Sequence, residues 1–378
     1  MAKILFVSTW GSHCGIATYT ERLALNLAKL GNKVAVLAPE ESETGIRPVP
    51  AEVPYRIGWT REGSFAHGLE AFASKFDIVH FQHEYGLFRA PALFLEALQI
   101  CKRQGAKVVV TLHTIFISRE HERFYGFLNQ VADLVIVHTL AAAATLSAVG
   151  GQAQIVTITH GTPEPIGTAT KLEGREFLKV PKDGVCILAF GFMSPSKNHM
   201  QTLNGFLEAN YIGLRPKAFL VLCGQPRGND QYTTELSNAI EWRFAQDIVY
   251  LRSGFVVDKD MPKVFATADF AILNTQNFDV YSASGQTHEH IAYGVPLVVV
   301  NAPIYSDALQ AGALVFQPDL ESKERPTHTL VTAIRGMVAS PALRAAVGAR
   351  MVEYAARTPW AGAAVKHDEQ YRKLLEGN

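Results

Sequence analysis

A chain of 378 residues is longer than one ordinary hydrophobic core supports, so we expect two domains. Hydrophobic residues make up 48% and charged residues 19%, which excludes an intrinsically disordered chain. The 35 basic and 35 acidic residues cancel, so we expect no nucleic acid as a partner. The four cysteines form no CxxC pair, and we find neither a signal-peptide pattern nor an apolar run of 18 residues, which predicts a cytoplasmic protein.

The first half of the chain alternates short apolar strands with amphipathic helices. Strands are predicted at 4–7, 34–37, 77–82, 107–112, 134–137 and 155–158. Helices are predicted between Gly15 and Gly31 and at 64–75, 91–104, 119–131 and 139–149, and residues 39–63 are read as a loop with room for one short strand. Six alternations of this kind predict one Rossmann-like domain.

Residues 163–184 are rich in proline and glycine, and we place a linker and domain boundary at about 165–180. The alternation then restarts, with strands at 185–190, 218–223, 248–251, 270–274, 296–300 and 313–316. Helices fit 199–209, 230–245, 259–267 and 286–293, and residues 326–376 are helical with breaks at Pro341 and Pro359. Two such α/β halves predict a cleft in which ligands meet the carboxyl ends of the strands.

The segment from Gly191 to Lys197 is the best candidate for holding a phosphate group. It joins a strand end to a helix start, so free backbone N–H groups and the ammonium of Lys197 would act on the same anion. It is not a Walker A loop. The alternative to a phosphate site is an ordinary strand-turn-helix with a solvated lysine. The first loop also breaks the dinucleotide fingerprint, which disfavours a nicotinamide enzyme. Gly15 there either lets a phosphate or sugar approach the backbone or serves turn geometry alone.

Two further positions follow strands or begin helices. His113 ends a strand in Thr-Leu-His-Thr, where its ring would hydrogen-bond a substrate or simply be a core or surface histidine. Ser284 and Gly285 precede a helix whose N-terminus offers N–H groups to an anion, and we place Glu289 in its first turn. A carboxylate there accepts hydrogen bonds from two vicinal hydroxyls, as of a ribose, or simply favours the helix dipole. No His, Cys or Asp cluster has the spacing of a zinc site, so we expect no metal.

These segments together resemble family 4 glycosyltransferases of GT-B fold. The resemblance is carried by the Gly15 loop, by Asp77-Ile-Val-His-Phe-Gln-His-Glu-Tyr-Gly-Leu-Phe88, Thr111-Leu-His-Thr114, Ala132-Asp-Leu-Val135 and His160-Gly161, by the turn from Gly191 to Lys197, and by Glu289 with Ala292-Tyr-Gly-Val-Pro296. It implies two Rossmann-like domains facing across a cleft, bounded at 1–168 and 169–360. The last helix, in 361–378, would cross back to the N-terminal domain.

The resemblance implies transfer of a hexose from a nucleotide-diphosphate sugar to a glycan, lipid-linked or small-molecule acceptor, with retention and without a metal or other cofactor. Lys197 would hold the diphosphate, Glu289 the ribose, Gly15 the phosphate and sugar, and His113 the donor sugar. The acceptor would lie near the N-terminal residues Trp10, Thr18, Tyr19, Glu84 and Tyr85. A lipid-linked acceptor leaves peripheral contact with the inner face of a membrane open, and the oligomeric state is also open.

Two positions depart from the family pattern. Phe192 stands where an arginine usually precedes the lysine, and Tyr281 stands where a glutamate usually contacts the donor hexose. Asp279 would then replace the missing carboxylate, with backbone N–H groups from the segment that ends at Gly285. The sequence therefore leaves open a GT-B sugar-nucleotide epimerase or phosphorylase, and a catalytically weak paralogue that binds a nucleotide-sugar.

Overall fold

The computed structural model describes residues 1–40, 48–61, 66–228, 230–318 and 325–377. The chain divides into two compact units. The N-terminal unit comprises Met1–Gly161, Asp279–Gly285 and Thr358–Asn378, and the C-terminal unit comprises Thr162–Phe278 and Gln286–Arg357. The domain bounds given above remain a prediction. The compact units differ from them in placing Asp279–Gly285 with the N-terminal unit.

The N-terminal unit is built on a seven-stranded sheet in the order β3-β2-β1-β4-β5-β7-β8. Its strands are β1 (Lys3–Val7), β2 (Lys33–Pro39), β3 (Tyr55–Trp59), β4 (Ile78–His83), β5 (Lys107–Leu112), β7 (Leu134–Val137) and β8 (Gln154–Thr157). Its first helices are α1 (Gly15–Lys29), α2 (Ala66–Phe72), α3 (Pro91–Arg103), α4 (Arg119–Val131) and α5 (Leu140–Val149). Every neighbouring pair is parallel, which confirms the α/β prediction.

A two-stranded antiparallel pair, which we did not predict, joins distant parts of the N-terminal unit. Strand β6 (Thr114–Phe116) pairs with β13 (Val280–Ser282), and Tyr281 lies opposite Ile115. Each strand has only three residues, too few for a period to stand out in the sequence. The pairing explains why Asp279–Gly285 belongs to this unit.

The last helix, α14 (Trp360–Glu376), packs on the N-terminal unit, as predicted. Its Trp360 and Tyr371 are buried in the same hydrophobic cluster as Phe6 of β1. The Asn32 amide donates to Asp368 at 2.7 Å, and the Tyr371 hydroxyl lies 2.7 Å from His80 Nδ1. The helix is therefore fixed to the sheet by both apolar packing and buried hydrogen bonds.

The C-terminal unit is built on a six-stranded parallel sheet in the order β11-β10-β9-β12-β14-β15. Its strands are β9 (Val185–Phe190), β10 (Ala218–Gly224), β11 (Val249–Ser253), β12 (Phe270–Leu273), β14 (Leu297–Val300) and β15 (Leu314–Phe316). Its helices are α6 (Lys171–Leu178), α7 (His199–Tyr211), α8 (Gln231–Trp242), α9 (Met261–Thr267), α10 (Gly285–Ala292, which begins at the last residue of the N-terminal unit), α11 (Ser306–Gln310), α12 (His328–Ala339) and α13 (Pro341–Arg357).

The structure corrects the predicted linker at 165–180. Helix α6 occupies most of that segment and begins with a capping box, in which Thr170 and Glu173 exchange hydrogen bonds. Gly174 lies within it because a Cβ atom there would come 2.3 Å from the Lys263 carbonyl oxygen of α9. Glycine has a low helix propensity, so a short helix with a central glycine looks like a loop in the sequence. Here the glycine is needed for close packing.

Candidate functional site

The Gly191–Lys197 segment links β9 to α7 through a single 3-10 turn, Pro195–Lys197. Gly191 has φ of +140°, and a Cβ atom there would lie 2.5 Å from the side-chain amide carbon of Gln286. Asn198 follows in the left-handed conformation at φ of +51°, and α7 begins at His199. Lys197 thus lies just before the helix rather than opening it, because Asn198 interrupts the helical geometry.

Lys197 is an ammonium partly withdrawn from water. Its side chain is half-buried, and burial, followed by the positive charge of Arg227, lowers its pKa to about 8. Within the described residues, no carboxylate forms an ion pair with its Nζ atom. A desolvated cation without an acidic partner is poised to bind an anion.

Polar residues after β12 hold the 3-10 turn in place. The backbone N–H of Gln276 donates to the Ser196 carbonyl at 3.0 Å, and its side-chain amide donates to Asn198 at 3.2 Å. The Asn274 amide donates to Gln201 of α7 at 2.9 Å. Asn274 and Gln276 were not selected from the sequence. Both follow a strand, as the selected His113 does.

Glu289 lies on α10 between two buried histidines. The helix begins at Gly285, so Glu289 is its fifth residue and follows the first turn, which corrects our placement of it in that turn. His288 Nε2 lies 3.0 Å from Asp307, and its Nδ1 lies 2.9 Å from the Thr162 hydroxyl. The ring of His290 donates to the Gln286 carbonyl at 2.7 Å, and burial lowers its pKa to about 4.

His288 therefore anchors α10 to other segments beside Glu289, whereas the hydrogen bond of His290 lies within the helix. Asp307 also accepts a hydrogen bond from the Tyr354 hydroxyl at 3.2 Å, so α10, α11 and α13 share one buried polar network. Such a network fixes the direction in which the half-buried Glu289 carboxylate projects. We did not predict Asp307, because only the fold brings it to His288.

In the N-terminal unit, His113 is the centre of a buried hydrogen-bond chain. It is 8% exposed, its Nε2 lies 2.8 Å from Gln82 Oε1, and its Nδ1 lies 3.3 Å from His138 Nε2. The chain continues from the Gln82 amide to His80 at 3.2 Å. Burial lowers the pKa of His113 well below its usual range, so the ring is neutral at pH 7.

Because both ring nitrogens of His113 already have protein partners, a hydrogen bond to a sugar requires one of those contacts to be exchanged. Tyr19 closes the cluster, and its ring lies 4.7 Å from that of His113 and 4.9 Å from that of Trp360. Burial raises the pKa of the Tyr19 hydroxyl above its usual range. The predicted acceptor residue Trp10 is 1% exposed and lies in the core.

Gly15 is the exposed first residue of α1, and a Cβ atom there would meet nothing within 4 Å. Its φ lies outside the left-handed region, so turn geometry gives no reason for glycine, and the open space agrees with close approach of a ligand. The hydroxyl of Thr18 donates to the Cys14 carbonyl at 3.3 Å and is thus used within α1.

The other predicted contacts of the N-terminal unit lie around β6. The Thr114 hydroxyl donates to Glu84 at 2.6 Å, and the Tyr85 hydroxyl lies 2.9 Å from that of Tyr125. Three predicted donor-binding residues belong to this unit by their packing: Asp279 and Gly285 are exposed, and Ser284 is buried. Lys197 and Glu289 belong to the C-terminal unit. This division follows from tertiary contacts and is not visible in the sequence.

Among the described residues, no group of three or more His, Cys, Asp or Glu side chains is arranged to hold a metal ion. The expectation that no metal is required stays a prediction. In the described part of the chain, no single helix has the length and apolar composition needed to cross a membrane. Helices α12 and α13 pass that test only as a pair bent by 100°.

Residues 14–165 match the model of Glycosyltransferase Family 4. No curated protein matches the chain. Among solved structures, it is similar to Anabaena HepE in complex with UDP, with 17% identity, a TM-score of 0.75, and coverage of 98% of this chain and 100% of that one.

Sucrose-phosphate synthase from Thermosynechococcus elongatus is similar at 16% identity and a TM-score of 0.77, with all of both chains covered. A UDP-forming trehalose-phosphate synthase from Burkholderia xenovorans is similar at 13% identity and a TM-score of 0.69, with 99% of each chain covered. At these identities the structural likeness establishes the fold. Residues 14–165 therefore match a glycosyltransferase family model, and the chain as a whole has the GT-B fold of these structures.

Proposed function

We propose that the protein transfers a hexose from a nucleoside-diphosphate sugar to a glycan, lipid-linked or small-molecule acceptor, with retention and without a required metal. The observation that carries the proposal is the half-buried ammonium of Lys197, which has no acidic partner among the described residues. A leaving diphosphate needs its growing negative charge neutralised, and a fixed ammonium supplies that neutralisation.

The backbone around Lys197 supports the same role. Gly191 leaves the end of β9 free of a side chain, and α7 begins two residues after Lys197, so its N–H groups and dipole favour an anion. Glu289, next to the anchored His288, would accept hydrogen bonds from the ribose hydroxyls. Of the similar structures, those of HepE hold UDP or UDP-glucose, which makes UDP the first nucleotide to test.

His113 and its neighbours are proposed to serve the donor sugar and the acceptor. Burial and two hydrogen bonds keep the His113 ring neutral and fixed in orientation, which suits a contact that positions rather than transfers a proton. A lipid-linked acceptor would bring the protein to the inner face of a membrane.

The first experiment is a thermal-shift panel of UDP, GDP, dTDP, ADP and CMP on wild type and Lys197→Ala. A ligand at about 100 times its Kd adds roughly 2.7 kcal/mol, enough to raise Tm by some degrees. One nucleoside diphosphate should stabilise the wild type and not the variant. Exposed Lys259 of the same unit supplies the matched control, and Lys259→Ala should respond like wild type. No shift with any nucleotide would refute the diphosphate site.

Turnover is then measured with the sugar nucleotide of the stabilising base. Lys197→Ala should lower kcat/KM by about 10²- to 10³-fold, as for removal of a group that stabilises a leaving anion. An unchanged kcat/KM would contradict the role of Lys197 in the chemistry. Product anomers read by NMR test retention separately, and an inverted product would refute that part of the proposal.

A second candidate, a nucleotide-sugar-binding paralogue of low activity, is favoured by one observation. Tyr281 stands where the family has a glutamate, and it packs against the hydrophobic core of the N-terminal unit within β13. It therefore gives the donor hexose no carboxylate. Nucleotide binding without turnover of any sugar nucleotide would favour this candidate over the transferase.

A further inference from the structure

We propose that Arg227 supplies the second cation of the diphosphate site at Lys197, replacing the arginine that is missing at Phe192. The inference rests on the proposed function and assigns a further binding residue to the same site. Phe192 is 39% exposed and carries no charge, so the segment after β9 offers Lys197 alone. The second charge comes from the loop after the neighbouring strand, β10.

Backbone hydrogen bonds tie the loop after β10 to the segment that holds Lys197. The N–H of Met193 donates to the Gln225 carbonyl at 2.8 Å, and the N–H of Arg227 donates to the Met193 carbonyl at 3.0 Å. Met193 and Pro226 also form an isolated parallel bridge. Arg227 is therefore held by its own backbone to a residue four positions before Lys197.

A pair of glycines allows this close approach. Gly224, the last residue of β10, has φ of +151°, and a Cβ atom there would lie 1.7 Å from the Gly191 carbonyl oxygen. No other residue fits at Gly224 without separating the two loops. The N–H of Gly191 in turn donates to the Cys223 carbonyl at 3.0 Å. The two strand ends thus form one rigid platform.

The charges on this platform have the same sign. The guanidinium of Arg227 acts on the ammonium of Lys197 strongly enough to lower its pKa, after the larger effect of burial. The ammonium of Lys197 adds to the effect of burial on two histidines, His199 of α7 and His290 of α10. The pKa of each is lowered to about 4, so both are neutral at pH 7. Among the described residues, neither cation has a carboxylate partner.

Two nearby cations repel each other unless an anion lies with them, and a diphosphate carries enough charge to serve both. An arginine suits this position because its planar fork binds two phosphate oxygens at once, whereas the lysine acts as a point charge. Arg227 is exposed, so its side chain has the freedom to reach a bound phosphate. A bound diphosphate would remove the repulsion between Lys197 and Arg227, and this relief would strengthen binding.

The test is calorimetric titration of UDP and of uridine, which lacks the phosphates, into wild type, Arg227→Gln, Arg227→Lys and Lys197→Ala. Arg335→Gln, which removes an exposed arginine of α12, is the matched control. Arg227→Gln should weaken UDP about 10- to 100-fold, the usual effect of losing hydrogen bonds to a charged group, and leave uridine unchanged. Arg227→Lys should recover part of the loss, and Arg335→Gln should bind UDP like wild type.

The pH profile supplies a readout that a merely structural role would not move. Because the Arg227 charge lowers the pKa of Lys197, Arg227→Gln raises that pKa, and the decline of UDP affinity with pH should move to higher pH. If Lys197→Ala loses UDP affinity while Arg227→Gln binds like wild type with an unmoved profile, Arg227 has no such role and the proposed function stands. If wild type binds UDP no better than uridine, the diphosphate site itself is refuted, and the inference with it.

Discussion

The lowered pKa of Lys197 predicts a pH dependence of nucleotide binding that an ordinary lysine would not give. With a pKa of about 8, the side chain is protonated below pH 8 and loses its charge as pH rises through that value. If the ammonium form alone binds the diphosphate, about nine-tenths of the free protein is competent at pH 7 and about one-tenth at pH 9. The Kd of UDP should therefore rise about tenfold over this range.

The assay is calorimetric titration of UDP at half-unit steps from pH 7 to pH 9, where the phosphate groups of UDP stay ionised. A lysine with an ordinary pKa near 10.4 would remain charged throughout and give a flat profile. Lys197→Ala should bind weakly and show little dependence on pH, and uridine reports any change that concerns the base alone. A flat wild-type profile would refute the reasoning that Lys197 is desolvated and meets the phosphates.

Three further substitutions test the network, the platform and the ribose contact. Asp307→Ala leaves His288 without its buried hydrogen-bond partner, so the C-terminal unit should lose about 1 to 3 kcal/mol of stability. Calorimetry should show a lower Tm that the exposed Asp247→Ala does not show, and an equal Tm would mean that the pair contributes nothing. Gly224→Ala should weaken UDP binding and lower Tm, since its Cβ atom would lie 1.7 Å from the Gly191 carbonyl oxygen; wild-type values would contradict the close approach. Glu289→Ala should lower the affinity for UDP about 10- to 100-fold but leave the affinity for 2′,3′-dideoxy-UDP unchanged, as expected for a carboxylate that binds ribose hydroxyls. Equal losses of affinity for both ligands would exclude that contact.

The structure also changes what a buried histidine means in this protein. Two buried rings have hydrogen-bond partners at both nitrogens, and each of them fixes an element of a site. His113 fixes the end of β5, and His288 fixes α10. A histidine at a strand end therefore indicates organisation of the site as readily as direct contact with a substrate. The engaged nitrogens of His113 make positioning its better-supported role.

The sequence by itself determined the two parallel sheets. A strand buried on both faces must be apolar at nearly every position, and runs such as 185–190 are visible without knowledge of their neighbours. Local chemistry likewise marked Gly191 and Lys197, because a glycine and a cation at a strand-to-helix junction suit an anion whatever the surrounding fold.

Tertiary structure alone decided the partners of these residues. The loop of Arg227 bonds to the segment of Lys197, and Asp307 bonds to His288, because adjacent strands and helices bring distant segments together. No local pattern records such a pairing. The three-residue strands β6 and β13 form only by pairing with each other, since neither has enough residues to be stable or recognisable alone. Burial, which lowers the pKa of Lys197 and keeps His113 neutral, is likewise a property of the folded chain and not of any one segment.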